Sequence, residues 1–91
     1  MRVTWTSKAL GDLTRLHAFL QLVDPQAAAA VVNKLTAGAK KLAQQPRIGS
    51  PLLEFTPRDV RRLIIGYYEM RYELTDDSVF ILRLWHGRED R

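Results

Sequence analysis

The apolar residues of this chain change their spacing once, near the middle. Up to residue 45 they recur every three or four positions; from residue 61 onward they alternate or run together. Leu10, Leu13, Leu16 and Leu20, with Ala9 and Val23, make one helical stripe, and Asp12, Arg15 and Gln21 lie mostly off it. The spacing predicts a helix over 7–22, with Thr6 or Ser7 accepting from the free amides of its first turn. Asp24-Pro25 predicts an immediate restart, because Asp caps well and the missing Pro N–H would be unpaired at that position anyway. Ala28, Val31, Val32, Leu35, Ala39 and Leu42 then mark the buried face of a second helix over 25–45. Lys40 and Lys41 suit the negative end of its dipole, and Pro46 stops it. So short a linker makes the two helices an antiparallel hairpin.

Strand-like runs follow at 61–65, 67–74 and 78–87, separated by Gly66 and by Thr75-Asp76-Asp77-Ser78. In the second run Tyr68, Met70, Tyr72 and Leu74 alternate with Glu69, Arg71 and Glu73, which gives one apolar and one charged face. An odd or bulged loop at Asp76-Asp77 sets Phe80, Leu82, Leu84 and His86 on the apolar face. A strict two-residue turn reverses that parity and turns Arg83 toward the core, where an unpaired charge is costly. The odd loop is therefore expected. Val3-Thr4-Trp5 adds a short strand, and the proline-rich segment 46–57 crosses from helices to sheet, pinned to the core by Leu52, Leu53 and Phe55. The predicted architecture is α+β over 1–91 as a single domain: a short N-terminal strand, an antiparallel helix hairpin, then a three-stranded antiparallel meander.

Composition narrows the function. With no cysteine there is no disulfide and no thiolate metal site. No run approaches the roughly 20 apolar residues of a membrane span, and the N-terminus lacks a signal-peptide core, which suits a cytoplasmic protein. Fourteen Lys and Arg against ten Asp and Glu leave a net charge of +4, which favours an anionic partner, nucleic acid or an acidic protein segment. His17 reads as a half-exposed helix residue, with only Asp24 and Gln21 as weak neighbouring ligands.

Candidate chemistry gathers late in the chain. Arg47, Arg58, Arg61 and Arg62 form a basic edge around the crossing loop. Glu69, Arg71 and Arg83 share a face, as cross-strand ion pairs or as a binding surface. The tail at 84–91, LWHGREDR, sets an exposed Trp85 beside His86, with Arg88 and Arg91 following. Trp85 with Arg83 or Arg88 could stack on a base, grip a peptide, or cover the edge of a small core.

The order of these elements, with Trp5, Ala9, Asp12 and Leu13, the loop Pro46-Arg47-Ile48-Gly49, Arg71-Tyr72, Asp76-Asp77-Ser78 and the block from Ile81 to Asp90 (ILRLWHGRED), resembles the ParE/RelE superfamily of type II toxins, and most closely ParE. The resemblance implies a plasmid-stabilising toxin held inactive by a cognate, ParD-like antitoxin with an acidic C-terminal segment, in a hetero-oligomer. ParE-like members inhibit DNA gyrase by binding; RelE-like members cut messenger RNA on the ribosome without a metal. The RelE-type strand carries a key Arg after its Gly-Tyr turn, where this chain has Glu69, and a carboxylate there repels the scissile phosphate. No tyrosine follows Tyr72 either. The ParE-like reading therefore leads, with no catalytic residue, no cofactor and no metal. Its expected target- or antitoxin-binding residues are Arg61, Glu69, Arg71, Arg83, Trp85, His86, Arg88 and Arg91. The nuclease alternative uses His86 as acid or base with Arg83 and Arg88 on the phosphate. A third reading is a degenerate toxin kept as an interaction module.

Overall fold

The computed structural model describes residues 1–89. In chain order the elements are β1 (Arg2–Trp5), α1 (Ser7–Val23), α2 (Pro25–Lys41), β2 (Ser50–Pro51), a 3-10 turn (Leu53–Phe55), β3 (Asp59–Ile65), β4 (Tyr68–Leu74) and β5 (Ser78–His86). The strands form one sheet in the order β1-β5-β4-β3-β2. Only β1 runs parallel to its neighbour, β5. Both helices cover one face. Ala9 and Leu16 of α1 and Leu35 and Ala39 of α2, with Leu42 just beyond it, pack there on Met70, Tyr72, Leu74, Val79, Ile81 and Leu84. No helix among the described residues is long and apolar enough to cross a membrane.

The caps follow the sequence. The Thr6 hydroxyl accepts from the Ala9 amide at 3.2 Å, and Asp24 Oδ1 accepts from the Gln26 and Ala27 amides at 3.0 and 3.2 Å. The second helix ends at Lys41, short of the expected Gln45. The Leu42, Ala43 and Gln44 amides reach carbonyls only three residues back, and this tighter winding runs into Pro46. The first strand of the meander starts at Asp59, and Tyr67 belongs to the turn.

The β4–β5 register corrects the expected one. The Thr75 amide donates to the Ser78 carbonyl at 2.9 Å, so Asp76-Asp77 is a strict two-residue turn. Leu74 faces Val79 and Tyr72 faces Ile81, and these two, not Phe80 and Leu82, are fully buried. A bulge then follows. Arg71 faces Arg83, so Leu82 is the extra residue, and the parity reverts to put Leu84 opposite Met70 and His86 opposite Tyr68. The bulge lets both halves of β5 bury apolar side chains while keeping Arg83 out of the core.

The crossing loop is pinned by polar groups as well as by part-buried Leu52 and Phe55. The Tyr72 hydroxyl donates to the Pro46 carbonyl at 2.7 Å and accepts from the Gly49 amide at 2.9 Å. Arg61 Nη1 donates to the carbonyls of Arg47 and Gly49 at 3.2 and 3.0 Å. A Cβ on Gly49 would lie 2.7 Å from the Tyr72 hydroxyl, which explains glycine there. Leu53, expected in the core, is 75% exposed. The 3-10 turn instead lies on the sheet face away from the helices, beside buried Val60 of β3.

Candidate functional site

On the helix side, the last turns of α1 leave Phe19, Leu22 and Val23 exposed. Between this end of α1 and the ends of β4 and β5 lies a groove of about 620 Å³, lined by Arg15, Leu16, Phe19, Leu20, Tyr68, His86, Arg88 and Glu89. Its floor is apolar and aromatic; its rim is charged. The His86 ring stacks on Tyr67 at 6.4 Å between centroids and meets Tyr68 edge-on at 5.2 Å. His86 Nδ1 accepts from the Arg88 amide at 3.1 Å, and Glu89 Oε2 accepts from the His86 amide at 2.6 Å. Glu89 Oε1 pairs with Arg15 of α1. Burial, with the Glu89 charge nearby, raises the Tyr68 phenol above its ordinary value.

The opposite face is a guanidinium–aromatic layer. The Arg71 guanidinium carbon lies 4.7 Å from the Trp85 ring centroid and 5.5 Å from that of Phe55; that of Arg83 lies 5.2 Å from Trp85. Arg71 Nε, buried here, has no hydrogen-bond partner among the described residues. Glu69 stands 3.4 Å from Arg71 and 4.0 Å from Arg62. Arg58 grips Glu73 with two hydrogen bonds, which hold the Glu73 carboxyl below its usual range against the opposing effect of burial. Trp85, expected to be exposed, is buried, and so is Glu69. The tail tryptophan is thus covered by its own chain's Arg71 and Arg83, on the face away from the helices.

Asp12 joins the two faces. The parallel strand β1 ends at Trp5, so the edge of β5 beyond Ile81 has no strand partner. The Asp12 carboxylate fills that gap, accepting from the Leu84 amide at 2.9 Å and from Arg83 Nε and Nη2 at 2.7 and 3.1 Å. Burial pushes its carboxyl up, but the bonds from Arg83 and Leu84 and the charges of Arg83 and Arg15 outweigh that and hold it below the usual carboxylate range. The leucine spacing places Asp12 off the apolar stripe, yet it is buried. A signal was available: Ala9, Asp12 and Leu16 stand three and four residues apart, so they share a helix face.

The expected site residues therefore separate. Arg61 staples the crossing loop. Glu69, Arg71, Arg83 and Trp85 belong to the face away from the helices, and His86 and Arg88 to the groove. Arg91 lies outside the described residues. Among the described residues no three His, Cys, Asp or Glu side chains gather as metal ligands.

Comparison with known proteins gives these surfaces a family. Residues 3–91 match the model of the ParE toxin of the type II toxin-antitoxin system parDE. Toxin RelE2 of Caulobacter vibrioides is 33% identical over 86 residues, covering 94% of both chains. Toxin RelE1 of the same organism is 34% identical over 88 residues, covering 92% of this chain and 90% of that one. Among solved structures, the chromosomal ParDE system of P. aeruginosa superposes with a TM-score of 0.79 at 24% identity, over 94% of this chain and 95% of that one. The toxin-antitoxin complex RelBE2 of Mycobacterium tuberculosis superposes with a TM-score of 0.62 at 32% identity, over 93% and 95%. The α+β fold of two helices on a five-stranded sheet is that of these toxins, and the chain belongs to the ParE toxin family of type II toxin-antitoxin systems.

Proposed function

We propose that this chain is a ParE-like toxin that inhibits DNA gyrase by binding, without hydrolysis, and that a cognate antitoxin neutralises it by occupying the groove beside α1. The observation that carries the non-hydrolytic reading is the separation of His86 from Arg83. Phosphodiester cleavage needs an acid or base and a charge stabiliser converging on one phosphate. Here His86 lines the groove on the helix side, while Arg83 lies on the other face, bound to Asp12 and stacked on Trp85. The family match supports gyrase as the target and the cytoplasm as the place of action. The antitoxin reading is supported by the similar solved structures, both of toxin-antitoxin systems, and by an apolar groove whose rim carries Arg15 and Arg88. An amphipathic acidic segment matches that surface.

A second reading, a ribosome-dependent nuclease, is favoured by the RelE names of the relatives and by Arg88 sharing the groove with His86. The test is a supercoiling assay with the purified toxin. Inhibition of gyrase, relieved by an equimolar amount of the protein encoded in the adjoining reading frame, supports the proposal. Undiminished supercoiling at saturating toxin contradicts it.

A further inference from the structure

The groove already holds one carboxylate at its mouth. Glu89 leaves the C-terminal turn and pairs with Arg15 across the opening, and its second oxygen accepts from the His86 amide at 2.6 Å. Arg15 also stands 3.7 Å from the buried Asp12, which keeps the guanidinium near that wall whatever Glu89 does. We infer that Glu89 is an internal stand-in for an acidic side chain of the antitoxin, and that binding replaces Glu89 by the antitoxin's carboxylate on Arg15. This inference rests on the antitoxin reading of the groove.

The exchange is physically easy. Arg15 and Glu89 retain 47% and 27% side-chain exposure, and ion pairs in such water-accessible positions contribute little. With Glu89 displaced, the wall presents two cations, Arg15 and Arg88, beside the floor formed by Leu16, Phe19 and Tyr68. That combination selects an amphipathic helix bearing a carboxylate next to its apolar face. A second copy of this chain fits poorly, because each copy carries a net charge of +4. Displacement also removes the acceptor of the His86 amide, so the turn after β5 loosens when the groove fills. The groove is thereby specific for acidic partners: an apolar helix without a carboxylate leaves Glu89 in place at the mouth.

The probe is the protein encoded by the adjoining reading frame, with affinity and dissociation rate measured against the wild type and four variant toxins. Glu89→Gln keeps an oxygen for the His86 amide but loses the charge, and it should bind about two- to fivefold tighter. Arg15→Gln should bind more weakly by a similar factor, and adding Glu89→Gln to it should change nothing. The fourth variant, Phe19→Asp, alters a 66% exposed residue and reports on the groove itself. If it weakens binding while Glu89→Gln brings no gain, or the same gain without Arg15, the stand-in role is overturned and the groove assignment survives. If Phe19→Asp binds undiminished, both are overturned.

Discussion

Arg83 reaches round the edge of the sheet to close a bidentate ion pair with Asp12 of α1, at 2.7 and 3.1 Å. The contact spans 71 residues of sequence and ties the first helix to the last strand. It also sets Arg83 over Trp85, so the layer on the far face depends on a carboxylate at the helix–sheet seam.

Asp12→Asn should therefore cost about 2 kcal/mol at neutral pH, less than a fully buried pair because Arg83 is 38% exposed. Its pH dependence has a definite sign. The folded carboxyl titrates below the ordinary aspartate value, so its contribution is complete above about pH 4 and is lost as pH falls through the lowered folded value. Urea unfolding at pH 7 and pH 3 checks this: the wild type should lose more stability between the two than Asp12→Asn.

Much of the fold could be read from local patterns. Caps at Thr6 and Asp24, the helix hairpin and the alternating β4 face each follow from rules acting over a few residues. What escaped the reading depended on distant partners. The Leu82 bulge is a compromise between a turn and a strand end, and neither half of β5 discloses it alone. Trp85 reads as exposed because part of its cover, the Arg71 guanidinium, comes from the neighbouring strand β4. The groove was illegible because its lining comes from α1, the start of β4 and the turn after β5, segments far apart in the sequence.

Tyr72 and Gly49 form a second lock. Tyr72→Phe removes the hydroxyl that serves both the Pro46 carbonyl and the Gly49 amide and should cost about 1–3 kcal/mol. Gly49→Ala should also destabilise, since its Cβ would sit 2.7 Å from that hydroxyl and 2.8 Å from the Arg62 carbonyl oxygen. Chemical denaturation of the double variant should show a loss smaller than the sum, because the hydroxyl contact, one of the three close approaches at that Cβ, is gone.

Trp85 should behave as a stability residue. Trp85→Ala should cost about 3 kcal/mol and lower the melting temperature by about 10 °C or more, with Trp85→Phe milder. Calorimetry checks the first part. Antitoxin affinity, measured at a temperature where the variant is folded, should stay near wild type, because the groove lies on the other face.

The toxin is proposed to bind its target without cutting RNA. The most direct measurement places wild type and His86→Ala side by side in a gyrase supercoiling assay and in end-mapping of messenger RNA on translating ribosomes. The wild type should inhibit gyrase and leave the messenger intact at every toxin concentration that inhibits. Discrete messenger cleavage by the wild type that disappears in His86→Ala, with gyrase unaffected, would contradict the proposal.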